Sequence, residues 1–255
     1  MKTIRSLYLI INYKTFIVTA LSLISTWLCM RYNFQADLPL TLIGIAIVFP
    51  VVFSIDSAYK RRERALAILA DFEGHLKALY MAPIDWLDNV DDEYKKSFKA
   101  EIVSVYASIT EFFINEHHDE SYERKIADDI GRLSKSSQKL RDYGMVAGEM
   151  SRVNQYLSKI VIDIKSLKTI YFYRTPITLR AYSRVFIYSF PVLYAPYFVF
   201  AARSYSVGLE YMMPILFSFI LVSLDNIQGH LENPFDQVGE DDIKFDVDKF
   251  ERQLE

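Results

Sequence analysis

Thr41 to Ala65 reads TLIGIAIVFPVVFSIDSAYKRRERA. Its first half holds no charge, while its second half carries six: Asp56, Lys60, Arg61, Arg62, Glu63 and Arg64. Going backwards, the apolar run starts at Leu38 and ends at Ile55. A helix that crosses the hydrocarbon of a bilayer needs about 20 mostly apolar residues, with about 17 as the lower bound. The run sits near that bound and ends on a basic cluster. Such a boundary marks a membrane helix emerging on its cytoplasmic side. Ile45, Phe49 and Phe53 stand four residues apart, so they share one stripe of that helix.

Three more runs have the same character: Thr15 to Met30, Val185 to Ala202 and Val207 to Leu224. Glu210, close to an end, is the one charge inside the four runs. Helices of a soluble core keep a polar face, whereas these are apolar nearly all round. Pro50, Pro191, Pro196 and Pro214 lie within them, as membrane helices allow when neighbours re-satisfy the backbone. The runs pair into two hairpins with short links, Arg31 to Asp37 and Arg203 to Ser206.

Lys2, Arg5 and Lys14, then Lys60, Arg61, Arg62 and Arg64, then Arg174, Arg180 and Arg184 all fall on the other side of the runs. Arg31 and Arg203 on the short links are outnumbered. The positive-inside rule therefore places both termini and the long middle section in the cytoplasm. The expected location is a cell membrane crossed several times, the inner membrane if the source is bacterial. The start, MKTIRSLYLIINYK, is interrupted by Asn12, Tyr13 and Lys14 before it reaches the length of a signal peptide, so it reads as an amphipathic lead-in.

The chain has 255 residues, 51% hydrophobic and 24% charged, a balance that fits part membrane and part aqueous body. The net charge of −3 speaks against a nucleic-acid partner. Cys29 is the one cysteine, so no internal disulfide forms and the residue reads as a small buried side chain. The middle section reads as helical. ALAILADFEGHLKALY ends before Pro83, and FKAEIVSVYASITEFFI carries its aromatics on one face. Val153, Leu157, Ile160, Val161, Ile164 and Leu167 form a further stripe. No stretch alternates as a strand. The expected fold is all-α, divided into 1–55 with the lead-in and two membrane helices, 56–180 as a helical cytosolic body, 181–224 with two more membrane helices, and 225–255 as an acidic tail.

Signals for catalysis are poor. No Gly-rich phosphate loop or HExxH pattern is present, so no enzymatic activity and no cofactor is expected. EHHDE at Glu116 to Glu120 reads as a solvated turn rather than a metal site, since adjacent histidines do not share a helix face. His75 and His230 stand alone. Read by itself, the stripe of Ile45, Phe49 and Phe53 fits ordinary helix packing or, around an oligomer axis, stacked apolar rings that gate by dewetting. Phenyl edges are electropositive, so such rings would let a weakly hydrated anion pass.

Three stretches are similar to one family. Thr41 to Ala65 resembles the second membrane helix of bestrophins, most closely of the bacterial bestrophin-like chloride-channel type. Phe53, Ala58, Tyr59, Arg61 and Ala65 match that pattern without gaps. TPITLRAYSRVFIYSFPVLYAPYF, from Thr175, looks like the family's Pro-marked entry into the third membrane helix. ENPFDQVGEDDIKFDVDKFE, with Asn233, Pro234 and Phe235, looks like the segment after the fourth. The resemblance implies a homopentamer with a central pore, chloride as the first ion, and a neck formed by Ile45, Phe49 and Phe53.

Some positions depart from that pattern. Ser54 and Ile55, followed by Asp56, stand where the family often has Arg-Asn after the neck, and Arg62 and Glu63 where two aromatics follow. Asp56 and Arg61 are the charges beside the neck, and a carboxylate ring there would favour cations. A monovalent cation is therefore the second choice of ion, and a non-conducting membrane scaffold the reading from another class. Pro50 would kink the helix and turn Phe53 away from Ile45. The acidic tail reads as a structural element lying along a neighbouring subunit, ahead of a calcium clasp of the kind that animal members build.

Overall fold

The computed structural model describes residues 11–115, 119–173, 176–205, 208–237 and 242–255, and the side chains of 204–205 are left out of the description. Among these residues the fold is all-α. In chain order the helices are α1 (Tyr13–Arg31), α2 (Leu40–Asp85), α3 (Asp92–Ile114), α4 (Glu120–Gln138), α5 (Ala147–Phe172), α6 (Ile177–Leu193), α7 (Ala195–Tyr205), α8 (Leu209–Glu232) and α9 (Val247–Arg252). They form two compact units. One takes the described residues of 11–61 and 176–233, and the other those of 62–173, 234–237 and 242–255.

In the first unit, α1, α2 and α8 are long and apolar enough to cross a membrane. A fourth span exists if the helix ending at Leu193 and the one beginning at Ala195, bent by 43°, count as one. α1 has an inverted surface. It buries Thr15, Val18, Ser22 and Thr26, while Phe16, Ile17, Leu21, Ile24 and Trp27 are exposed. In water this arrangement would waste the hydrophobic effect. In lipid it is favourable, because small and hydroxylated residues let helices approach closely and large apolar ones meet acyl chains.

The third apolar run departs from the expected single helix. It breaks at Tyr194, between Pro191 and Pro196. Pro196 has no N–H to give the Val192 carbonyl. That carbonyl accepts instead from the Ser25 hydroxyl at 3.0 Å, and the Pro191 carbonyl accepts from the Ser22 hydroxyl at 2.6 Å. The hydroxyl row of α1 therefore satisfies the backbone that the prolines leave open. The fourth run likewise continues past Asp225 as helix to Glu232 and starts at Gly208, whose φ of 101° favours glycine.

The second unit is a helical body around Phe72, Leu76, Phe98, Ile102, Ile109, Phe112, Leu133 and Leu167, all fully buried. Asp91 opens α3 by accepting from the Tyr94 N–H at 2.6 Å. Val153, Leu157, Ile160, Ile164 and Leu167 are buried on α5 as expected, but Val161 is exposed. Val161 sits one position beyond Ile160, about 100° around the helix, which takes it out of the stripe. α2 also passes Pro83 and ends at Asp85. Proline there removes one hydrogen bond in the last turn, while buried Leu79 and Ala82 keep that turn packed.

Tail residues complete this core. Phe235 stacks on Phe113 with ring centroids 4.5 Å apart, and Phe250 on Tyr106 at 4.3 Å. The Pro234 carbonyl accepts from the Ile243 N–H at 2.8 Å, closing a loop that the Gln237 side chain braces by donating to the Ile243 carbonyl at 2.6 Å. The described tail residues therefore pack on the helical body of their own chain.

Burial pushes the Glu101 carboxyl above its ordinary value of 4.5, and its Oε2 has no hydrogen-bond partner. A raised folded pKa means that the folded state holds its proton longer, so this group's contribution to stability is present at low pH and lost as pH rises. Glu101→Gln is expected to raise the unfolding midpoint of the detergent-solubilised protein at neutral pH. The gain should vanish as pH falls below 4.5. Thermal melts at the two pH values check it.

Candidate functional site

α2 is a helix of 46 residues, about 69 Å long at the usual rise, so it is more than twice what a bilayer core needs. Its apolar half has two unlike faces. Ile47, Val51, Ser54 and Ala58 are buried at 3%, 0%, 0% and 0% exposure, with spacings of four, three and four residues. Ile45, Phe49 and Phe53 are 49%, 55% and 60% exposed. At about 100° per residue these two sets lie on opposite sides of the helix. One face is fastened to the chain's own core with Ile187, Phe190, Phe198 and Val222, and the other is left free.

The kink expected at Pro50 does not part the stripe. The helix is continuous through Pro50, and the Phe49 and Phe53 rings remain neighbours with centroids 6.1 Å apart. Asp56, the first charge after the stripe, is exposed on the same face one turn further on. Lys60 follows at the next turn, and its Nζ lies 2.7 Å from an Asp56 carboxylate oxygen. Arg61 belongs elsewhere: it falls toward the packed side and is only partly exposed. The two charges picked out beside the neck are thus on different faces.

Asn233 caps the end of α8, Pro234 follows it, and Phe235 is fully buried in the helical body. These three terminate a helix and anchor the tail. Glu116, His117, His118, Glu240 and Asp241 lie outside the described residues. Among the described residues no group of three His, Cys, Asp or Glu could hold a metal ion. Cys29 is half-buried on α1.

Sequence reasoning missed a polar ladder between α6 and α8. Arg184 Nε lies 3.2 Å from Asp225, which also accepts from the Tyr188 hydroxyl at 2.5 Å. Arg180 Nη1 lies 2.8 Å from Glu232, whose other oxygen accepts from Gln228 at 3.2 Å. Asp225 and Glu232 are 3% and 4% exposed, so both carboxylates need these partners. Asn12 donates to Asn226 at 2.8 Å beside them. The signal was present as Arg180 and Arg184 four apart, facing Asp225 and Glu232 seven apart, each pair on one helix face. Glu232→Gln keeps the shape but leaves Arg180 without its counter-charge. It should cost about 1–3 kcal/mol, read as a lower unfolding midpoint in detergent.

A second missed pair sits in the helical body, where His75 Nδ1 lies 2.6 Å from Asp163 and the imidazole neighbours the Tyr156 ring. It braces α2 against α5.

This fold is that of solved bacterial bestrophin homologues. The chain superposes on a bacterial bestrophin homologue from Klebsiella pneumoniae with a TM-score of 0.79, at 14% identity, over 95% of this chain and 96% of that one. A structure of that homologue phased on zinc gives the same values, and one described as a membrane protein matches at a TM-score of 0.79 and 13% identity. At such identities the likeness is one of fold. Comparison by sequence finds no matching family model and no matching curated protein.

Proposed function

We propose that this protein is an ion channel of the bestrophin type, a homopentamer in the cell membrane with both termini in the cytoplasm. One observation carries the reading: Ile45, Phe49 and Phe53 are exposed directly opposite the packed face of a continuous membrane helix. The packed face holds the helix in place, so the open stripe is free to line an axis shared by five copies. Stacked apolar rings would then form a neck that gates by dewetting. Phenyl edges at that neck favour a weakly hydrated monovalent anion, chloride first, with a monovalent cation second. The channel needs no cofactor and performs no catalysis.

Two measurements test this. The mass of the detergent-solubilised particle should be that of five chains, and a monomer or dimer would favour a non-conducting scaffold. In planar bilayers with asymmetric KCl the protein should carry current whose reversal potential lies toward the chloride equilibrium value. A value at the potassium equilibrium potential would assign the cation reading, and silence from folded, inserted protein would overturn the channel.

A further inference from the structure

The exposed face of α2 does not end at the neck. Going from Leu40 to Ile55 it carries no charge, then presents Asp56 and Lys60 on successive turns of the same face as Ile45, Phe49 and Phe53. The Asp56 and Lys60 side chains are 48% and 73% exposed, and each is the other's ion-pair partner at 2.7 Å. Arg61, turned toward the packed side, does not share this face.

We propose that Lys60 is a selectivity-determining residue: together with Asp56 it forms a charge-compensated double ring just beyond the neck, and the balance between the two rings sets which sign of ion passes. The inference rests on the pore reading of the stripe. In a pentamer, Asp56 alone would place five carboxylates beside the exit of an apolar constriction. Such a ring concentrates cations and repels anions. Lys60 sets an ammonium within one helical turn of each carboxylate. One turn is about 5.4 Å, shorter than the Debye length of about 10 Å at 0.1 M salt.

Compensation therefore does not require the ion pair to be tight. An exposed pair at this spacing contributes little to stability, yet the opposed charges stay close enough for their fields to cancel over the pore axis. Asp preceding Lys by four residues is also the orientation a helix favours. The residual preference is then left to the apolar rings, which is how an anion can pass a neck that ends on an aspartate.

Full-length protein is reconstituted in planar bilayers under a KCl gradient, comparing wild type, Lys60→Gln, Asp56→Asn, the double variant, and Phe49→Ala with Phe53→Ala. Lys60→Gln should move the reversal potential toward the potassium value and Asp56→Asn toward the chloride value. The two variants should differ by roughly tenfold in the cation-to-anion permeability ratio, the lower end of what a charged cleft does to local ion concentration. The double variant should return to wild type, and both shifts should shrink at 1 M salt, where the Debye length falls to about 3 Å. Unchanged reversal potentials in both single variants, with conductance altered by the phenylalanine variant, would overturn the charge-ring inference and leave the neck standing. Unchanged behaviour in every variant would overturn both. All of these side chains are exposed, so the variants retain the packed core.

Discussion

On the channel reading, Phe49→Ala combined with Phe53→Ala is expected to open the neck and raise ion flux. The two rings are neighbours on one face, 6.1 Å between centroids, and each is more than half exposed. Neither side chain packs in the core of its own chain, so removing both leaves the fold intact. What changes is the free energy of wetting the constriction. Apolar rings hold water out, and ions cross only when the gap fills. Lowering that barrier by about 1.4 kcal/mol multiplies flux about tenfold. Single-channel recordings and flux from loaded vesicles measure it. An unchanged flux in a folded double variant would remove the neck from this stripe. Val51→Ala, on the packed face of the same helix, serves as the contrast: Val51 is fully buried, so its loss should lower the unfolding midpoint and leave the exposed stripe as it was.

The largest loss of stability is expected at Phe235. It is fully buried, lies face to face with Phe113 at 4.5 Å, and has Tyr171 and Phe245 within 6.0 and 6.1 Å. Truncating a buried phenylalanine to alanine costs about 3–5 kcal/mol through lost transfer energy and the cavity left behind. Phe235→Ala should therefore free the tail from the helical body and lower its unfolding midpoint far more than Glu232→Gln does. Limited proteolysis provides a second readout, since cleavage after the loop that Pro234 and Ile243 close should accelerate. A tail that stays protected in Phe235→Ala would show that Phe250, stacked on Tyr106, is anchor enough.

Much of the fold is legible in the sequence. The four apolar runs, the helical middle and the stripe of Ile45, Phe49 and Phe53 all follow from the spacing of neighbouring residues. The misjudged points share one cause. Val161 is apolar and suits a core stripe by composition, but its azimuth turns it outward. The charge at Asp225 suggests the end of a membrane helix. It is instead buried, and the helix continues for two more turns. Pro83 suggests a stop, yet the helix runs past it to Asp85. In each case a local rule met packing from elsewhere in the chain, and packing prevailed.

Periodicity is a property of contiguous residues, so the sequence alone determines that this chain is helical, which runs are apolar enough to cross a membrane, and which residues on a helix share a face. It cannot say which face is packed. Ile47 and Ile45 are chemically the same, and only the seating of α2 against Ile187 and Val222 decides that one is buried and the other open. Partners are decided in the same way. Arg184 meets Asp225 across 41 residues, and Ser22 reaches the Pro191 carbonyl across 169. Those pairings arise because buried charges and open carbonyls in an apolar medium must find partners, and the packed helices determine which groups are within reach.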